Sequence, residues 1–439
     1  MSETKKSFFE RFQTFMEEKL LPVGTAISNQ RHLASIRDGM TILIPLTIIG
    51  GFAILLAVPP VPATVTEPSN FLYAFLLAWQ AWAGAHSQIL LIPYYLSIGC
   101  ISLYVVAGIA YFLSKRYGLN TINNVVGALF VFLIVSNAVD ISTGSINMGM
   151  LGAGYMFGAI IIAILCVEIN RFFAEKNITI KMPDSVPPNV AAPFIVLIPM
   201  IFEVVVFSLI NSLITSWTGA GITSLIFTLF QPLLKATNSL PSILFLMLLS
   251  TLFWFFGIHG DNMTSPITSP IITANLAANL AAYQAGQPLE FIMAGNLAVY
   301  GGWITYHAYV VAMMFFCKSE QLRTLPKISA IPSLFNINEP NVFGVPTVLN
   351  VFTLIPSIIC LVINLTAYYL LAAANIIGKP FLTLPFTTPV AIQAFLSTMD
   401  FRNAILVIVL FFVDLAIAVP FMRAYDKQLL AQENASKAE

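Results

Sequence analysis

The chain has 439 residues, of which 58% are hydrophobic and only 9% charged, where a soluble domain carries roughly 25%. With a mean hydropathy of +0.86, this is the composition of a polytopic helical membrane protein. Its 20 basic residues balance 20 acidic ones, which excludes the basic footprint of a nucleic-acid binder.

In chain order, residues 5–20 come first. Phe8, Phe9, Phe12, Phe15, Met16 and Leu20 alternate with Lys5, Lys6, Arg11 and Lys19. That spacing predicts an amphipathic helix on a membrane surface. The polar start, with no apolar span before Met40, reads as lacking a secretory signal. Spans of about 20 apolar residues are then predicted near 40–58, 90–113, 121–139, 150–170 and 193–215. Further spans fall near 220–234, 241–258, 291–316, 347–374 and 403–422, the first of these short and polar enough to lie at an interface. With ten spans and the N-terminus inside, all of the 20 basic residues except Lys379 and Arg402 are cytoplasmic. The positive-inside rule therefore favours ten spans and two cytoplasmic termini.

Two segments between spans are too long and too apolar for simple loops. Residues 259–290 and 331–346 read as re-entrant hairpins. A third stretch, 375–400, holds Pro380, Pro385 and Pro389 and is expected to be irregular, lidding a cavity. The organisation expected is an N-terminal lead-in over 1–39, a five-span half over 40–216, a second half over 217–430 and a tail over 431–439.

The candidate chemistry sits in the second half. Asn336-Ile337-Asn338-Glu339-Pro340-Asn341 places a carboxylate and three amides between apolar segments, with Gly344 and Pro346 following. A regular helix is not expected to run through it. A carboxylate at membrane depth is a functional-site hypothesis, and an apolar setting suits it to proton acceptance. The competing role for Glu339 is to bond the freed amides of its own hairpin. Upstream, Gly257 and Gly260 flank His259, next to Asp261 and Asn262. Glycines let backbone approach a ligand closely. Trp254 stands one helical turn before, either to stack on a sugar face or to anchor the interface.

The remaining polar residues read more plainly. His32, His86 and His307 are expected to be structural. Glu203 and Asp414 are either hydrogen-bonded helix residues or a proton relay. Cys100, Cys166, Cys317 and Cys360 lie in or beside apolar segments and read as buried free thiols. No Walker A, GxSxG, HExxH or metal-ligand spacing occurs, so neither metal nor cofactor is expected and ATP-driven transport is disfavoured.

Three motifs coincide in order and spacing. They are Lys181-Met182-Pro183-Asp184-Ser185-Val186-Pro187-Pro188, Phe255-Phe256-Gly257-Ile258-His259-Gly260, and Asn338-Glu339-Pro340 followed by Phe343-Gly344-Val345-Pro346. Together they resemble the membrane-spanning IIC component of bacterial phosphotransferase-system permeases, in the lactose/cellobiose/diacetylchitobiose group, over essentially the whole chain. The resemblance implies a homodimer in the bacterial cytoplasmic membrane, with the first five spans at the dimer contact. It implies that His259, Glu339 and Trp254 face a β-linked disaccharide. Asp261, Asn262, Asn338 and Phe386 are further candidate contacts. Glu339 would lie by the 6-hydroxyl that takes phosphate from a phosphocysteine on a IIB protein. IIB is expected to be a separate protein, because this chain stops soon after its last span. Two departures bear on the sugar: Phe386 stands where chitobiose-type members have tryptophan, and Asp261 and Asn262 replace small apolar residues.

Two rival readings are a proton-coupled secondary sugar transporter using Glu339, Glu203 or Asp414, and an intramembrane glycan-processing enzyme. The second usually needs paired carboxylates, with Asp261 the obvious partner.

Overall fold

A computed structural model describes residues 26, 30–59, 61, 65–180, 182–183, 187–257, 259–295, 297–345 and 350–438. The amphipathic helix expected over 5–20 lies outside the described residues, as do Lys181 and 184–186 of the first motif. The described chain is mostly helical and forms two compact units.

One unit comprises Asn29–Lys235 and Pro266–Pro288. It contains α1 (Arg31–Thr41), α2 (Ile44–Ala57), α3 (Phe71–Ala85), α4 (Ser87–Tyr95), α5 (Ile101–Tyr117) and α6 (Thr121–Val135). A two-stranded antiparallel hairpin pairs β1 (Val139–Asp140) with β2 (Ser145–Ile146). Then come α7 (Met156–Glu175), α8 (Pro188–Thr218) and α9 (Ile222–Thr237). Helix α5 is central and packs on α1, α6 and α7. Its crossing with α1 needs small residues. A Cβ on Gly108 would stand 2.9 Å from the Gly39 carbonyl, and one on Gly39 would stand 2.8 Å from the Ile109 nitrogen. Close backbone approach of this kind is how apolar helices associate when lipid competes equally for their side chains. The outer face of α8 carries exposed Ile201, Leu209 and Leu213. Its inner face buries Glu203, whose carboxylate accepts from Asn170 Nδ2 at 2.7 Å.

The other unit comprises Ala236–Ser265 and Leu289–Glu439. It holds α10 (Leu240–Phe255), the first turns of α11 (Gly260–Gln284), a π-helical turn at Val299–Trp303, α12 (Ile304–Phe316) and α13 (Glu320–Leu334). These precede α14 (Glu339–Gly344), α15 (Val351–Ala373), α16 (Val390–Thr398) and α17 (Phe401–Ala438). A core of Tyr309, Val310, Met313, Leu322, Leu325 and Met422 joins α12, α13 and α17. Two polar ties fix these helices in register. Asp414 of α17 accepts from Thr305 Oγ1 at 2.7 Å and Asn364 Nδ2 at 3.0 Å. Asp426 accepts from the Lys318 and Ser319 backbone N–H groups at 2.8–3.0 Å. The second tie satisfies donors that the start of α13 leaves unpaired and places negative charge at its positive end.

Among the described residues, six helical stretches are long and apolar enough to cross a membrane: Arg31–Ala57, Ile98–Tyr117, Ala153–Glu175, Pro193–Thr218, Val351–Ala373 and Phe401–Ala435. A seventh appears if the broken pair α9 and α10 counts as one. These overlap the predicted spans one, two, four, five, nine and ten. Helix α6, where the third was predicted, is a shorter apolar helix.

The two segments read as re-entrant hairpins differ from each other in local structure. Most of 259–290 is one 25-residue helix with Pro266 and Pro270 inside. The Asn262 carbonyl, which Pro266 leaves without an amide partner, instead accepts from Ser265 Oγ at 3.4 Å. Side-chain hydroxyls of this kind let an apolar helix carry proline. The stretch 331–346 does break, with α13 ending, a turn at Asn336 with φ +62°, and only six residues of α14. Pro340 sits in the first turn of α14, where its missing N–H costs nothing.

Candidate functional site

Two polar clusters occupy the second unit. The first lies where α10 ends. Gly257 adopts φ +77°, which turns the chain back toward α10. Gly260 then passes so close that a Cβ there would stand 2.0 Å from the Ser250 carbonyl oxygen. No larger residue fits without moving backbone. The glycines around His259 are thus explained by local geometry.

This fold-back brings four predicted residues together. The Trp254 and His259 rings lie 4.3 Å apart between centroids, tilted by 45°. Asp261 accepts from Ser250 Oγ at 2.9 Å and from Trp254 Nε1 at 3.4 Å. The Asn262 backbone N–H leans on His259 Nδ1 at 3.4 Å. The same N–H donates to the His259 carbonyl at 3.1 Å, so the imidazole keeps a ring nitrogen available to a ligand oxygen. His259, Asp261 and Asn262 are exposed and Trp254 is half-buried. The cluster therefore offers an aromatic surface, an imidazole, a carboxylate and an amide in one place. Ser250 was missed from sequence. Its signal was its place one turn before Trp254, on the same helical face.

The second cluster surrounds the turn between α13 and α14. The Asn338 side-chain oxygen accepts from Ser333 Oγ at 2.7 Å and from Asn341 Nδ2 at 3.5 Å, and its amide donates to the Asn336 carbonyl at 3.3 Å. His307 Nε2 donates to the Ser333 carbonyl at 2.6 Å, the structural part expected of it. Asn336 donates to the carbonyls of Phe386 and Thr388 at 2.6 and 2.7 Å. Asn336, Asn338 and Asn341 are all buried, while Phe386 is 58% exposed. Glu339 opens α14, and its side chain lies outside the described set. The loop bearing Phe386 is anchored further along. Asp400 accepts from the Gly378 N–H at 2.8 Å and from Arg402, and Lys379 donates to the Leu289 carbonyl at 2.8 Å. Burial pushes the Asp400 carboxyl up, but the Arg402 hydrogen bonds and charge outweigh it and hold the group below its ordinary value.

Other candidates fall elsewhere. His32 pairs with Glu168 at 2.8 Å and His86 bonds the Trp82 carbonyl at 2.8 Å. All four cysteines are free and buried. No group of three or more His, Cys, Asp or Glu residues among the described ones is placed to hold a metal. A cavity of about 30 Å³ lies between Tyr300, Tyr368, Pro380, Gln393 and Thr398. That is the room of one water and not of a sugar, since ligand pockets run to roughly 300 Å³ or more.

The fold and the motifs have close counterparts. A profile of the phosphotransferase system EIIC family matches residues 37–360. The oligo-beta-mannoside-specific EIIC component of Bacillus subtilis (strain 168) is 31% identical over 438 residues, covering 97% of this chain and 96% of that protein. The cellobiose-specific EIIC component of Geobacillus stearothermophilus is 31% identical over 448 residues, covering 97% of each. The crystal structure of the transporter ChbC, the IIC component from the N,N'-diacetylchitobiose-specific phosphotransferase system, superposes with a TM-score of 0.85 at 30% identity, over 96% of this chain and 99% of that one. The chain belongs to the phosphotransferase system EIIC family. It is an integral membrane permease component for a sugar and works with a IIB domain. The secondary-transporter reading is not favoured. Glu203 and Asp414 are hydrogen-bonded to helix neighbours, the plainer of the two roles their sequence setting allowed.

Proposed function

We propose that the chain carries a β-linked disaccharide, cellobiose or a relative, across the membrane and presents its 6-hydroxyl for phosphorylation by IIB. The observation that carries this reading is the fold-back of His259 and Asp261 onto Trp254, with rings 4.3 Å apart. A sugar ring has an apolar C–H face and a polar hydroxyl rim. An indole beside an imidazole and a carboxylate matches both.

In this reading Trp254 stacks on a sugar face, a His259 ring nitrogen bonds a hydroxyl, and Asp261 and Asn262 take further hydroxyls. Asn338 and Phe386 complete the site, and Glu339 holds the 6-hydroxyl and accepts its proton during transfer. Positioning and charge stabilisation then dominate the phosphoryl step. The phosphate adds charge that a weakly polar site does not balance, so release inward is favoured. The relatives named for cellobiose, oligo-beta-mannoside and diacetylchitobiose support a β-linked substrate.

The proposal includes ten spans with both termini cytoplasmic, re-entrant hairpins around the two clusters, and a homodimer. The five-span half over 40–216 would make the dimer contact, and 217–430 would hold the sugar. Helical stretches at six of the ten predicted spans support this layout. The test is uptake into cells or vesicles with and without phosphoenolpyruvate and the soluble phosphocarriers, with cellobiose competed by lactose, chitobiose and gentiobiose. The expected result is phosphoenolpyruvate-dependent accumulation of a 6-phosphorylated disaccharide. Uptake driven by a pH gradient alone would overturn it.

A further inference from the structure

We infer that Asn336 is a positioning residue for sugar selectivity, latching the Pro385–Pro389 loop that carries Phe386 onto the turn leading into Asn338-Glu339. This rests on the reading that Phe386 and Glu339 face the sugar.

The left-handed backbone at 336 favours asparagine or glycine, so it does not by itself choose between them. Asn336 has φ +62°, and the turn is closed by Asn336 N–H to the Ser333 carbonyl at 2.7 Å and Ile337 N–H to the Pro332 carbonyl at 3.0 Å. Glycine closes such a turn at no steric cost. What asparagine adds is its amide. Both of its side-chain N–H groups are used on one target, the Phe386 carbonyl at 2.6 Å and the Thr388 carbonyl at 2.7 Å. The opposite amide orientation would set an oxygen against two carbonyl oxygens, so the orientation is determined. It leaves the Asn336 side-chain oxygen buried without a hydrogen-bond partner. An orphaned buried acceptor is unfavourable, and the arrangement keeps it so that the two donor bonds to the loop can form.

The loop needs such a tie at this point. Its start is held by Asp400 and by Phe381 and Leu382 N–H bonds to the Ser397 carbonyl at 2.9 and 3.2 Å. Its tip is a proline-bounded turn, with Thr388 N–H on the Pro385 carbonyl at 2.9 Å. The exposed Phe386 ring sits on that tip. The Asn336 amide grips the carbonyls of Phe386 itself and of Thr388, so it sets where the ring projects relative to the Asn338-Glu339 turn. An aromatic at a fixed distance from the group that holds the 6-hydroxyl discriminates a two-ring sugar from a one-ring sugar.

The test is a double-mutant cycle on the purified full chain, measuring equilibrium binding of cellobiose and of glucose. The variants are Asn336→Gly, Phe386→Ala and the two combined, with Asn336→Asp as a second form that keeps the side chain's shape and removes both donors. Asn336→Gly preserves the turn, so melting temperature is expected to stay within a few degrees. The preference for cellobiose over glucose should fall about tenfold in Asn336→Gly and Asn336→Asp, the scale of one or two lost hydrogen bonds. In the Phe386→Ala background Asn336→Gly should change it no further, because a latch acts through what it holds. Wild-type preference in both Asn336 variants, or losses that add, would overturn the latch while leaving the sugar site standing. A wild-type chain that binds no β-linked disaccharide would overturn the site reading and the latch with it.

Discussion

The two polar clusters have similar composition and opposite states. At the end of α10, His259, Asp261 and Asn262 are exposed, with long contacts of 3.4 Å among their neighbours. At the turn before α14, Asn336, Asn338 and Asn341 are buried and bonded to one another, to Ser333 and to the Phe386 loop. The first cluster has hydrogen-bonding capacity to spare and suits a ligand. The second spends its amide donors on its own turn and on the Phe386 loop, as a scaffold does. The donors of these buried amides are spent on the box and the Phe386 loop, while the Asn336 and Asn341 side-chain oxygens stay without a partner.

The comparison breaks most sharply at Glu339. Glutamine keeps size and a hydrogen-bonding oxygen but takes no proton. Glu339→Gln should therefore keep most sugar binding, while phosphorylation-coupled uptake falls by about 10²–10⁴, the range for a lost general base. Equilibrium binding and phosphoenolpyruvate-dependent uptake on the same variant check this. Near-normal phosphorylation would make Glu339 part of the scaffold. At the open cluster, His259→Ala should weaken binding by about 10- to 100-fold, matching roughly 1–3 kcal/mol for a buried bond left unmade. Titration calorimetry on the folded variant reads it directly.

Two changes sharpen the picture further. Gly260→Ala forces a Cβ against the Ser250 carbonyl and should cost about 1–3 kcal/mol, as overpacking does. Its melting temperature should drop together with sugar affinity. An unchanged melting temperature would mean that the fold-back is looser than drawn. Trp254→Phe keeps a ring but deletes the 3.4 Å bond to Asp261, so affinity should fall by less than about tenfold.

The smallest effect expected is of pH on the Phe386 loop. Asp400 holds that loop, and its carboxyl lies below the ordinary value of 3.8. A lowered folded value gives stability that is present above the ordinary value and lost as pH falls through the lowered one. Loop protection in hydrogen exchange should be constant from about pH 7 to 5 and decline only below about pH 4.

Periodicity and motif order alone determined a good deal of this protein. Long apolar runs must be helices in a membrane, because no water is there to satisfy backbone groups. Proline, glycine and asparagine clusters favour a break, as at Asn336. The same logic marked Trp254, His259, Asp261 and Glu339, since polar residues rarely persist among apolar spans without a task. It did not anticipate one helix over most of 259–290, because a hydroxyl that rescues a proline-orphaned carbonyl leaves no distinct trace in composition. Only the tertiary structure decided which asparagines face inward. Ser333, His307 and the Phe386 and Thr388 carbonyls reach the box from elements up to 52 residues away. Hydrogen-bond partnership at that separation depends on where helices pack, and packing is not written in any local pattern.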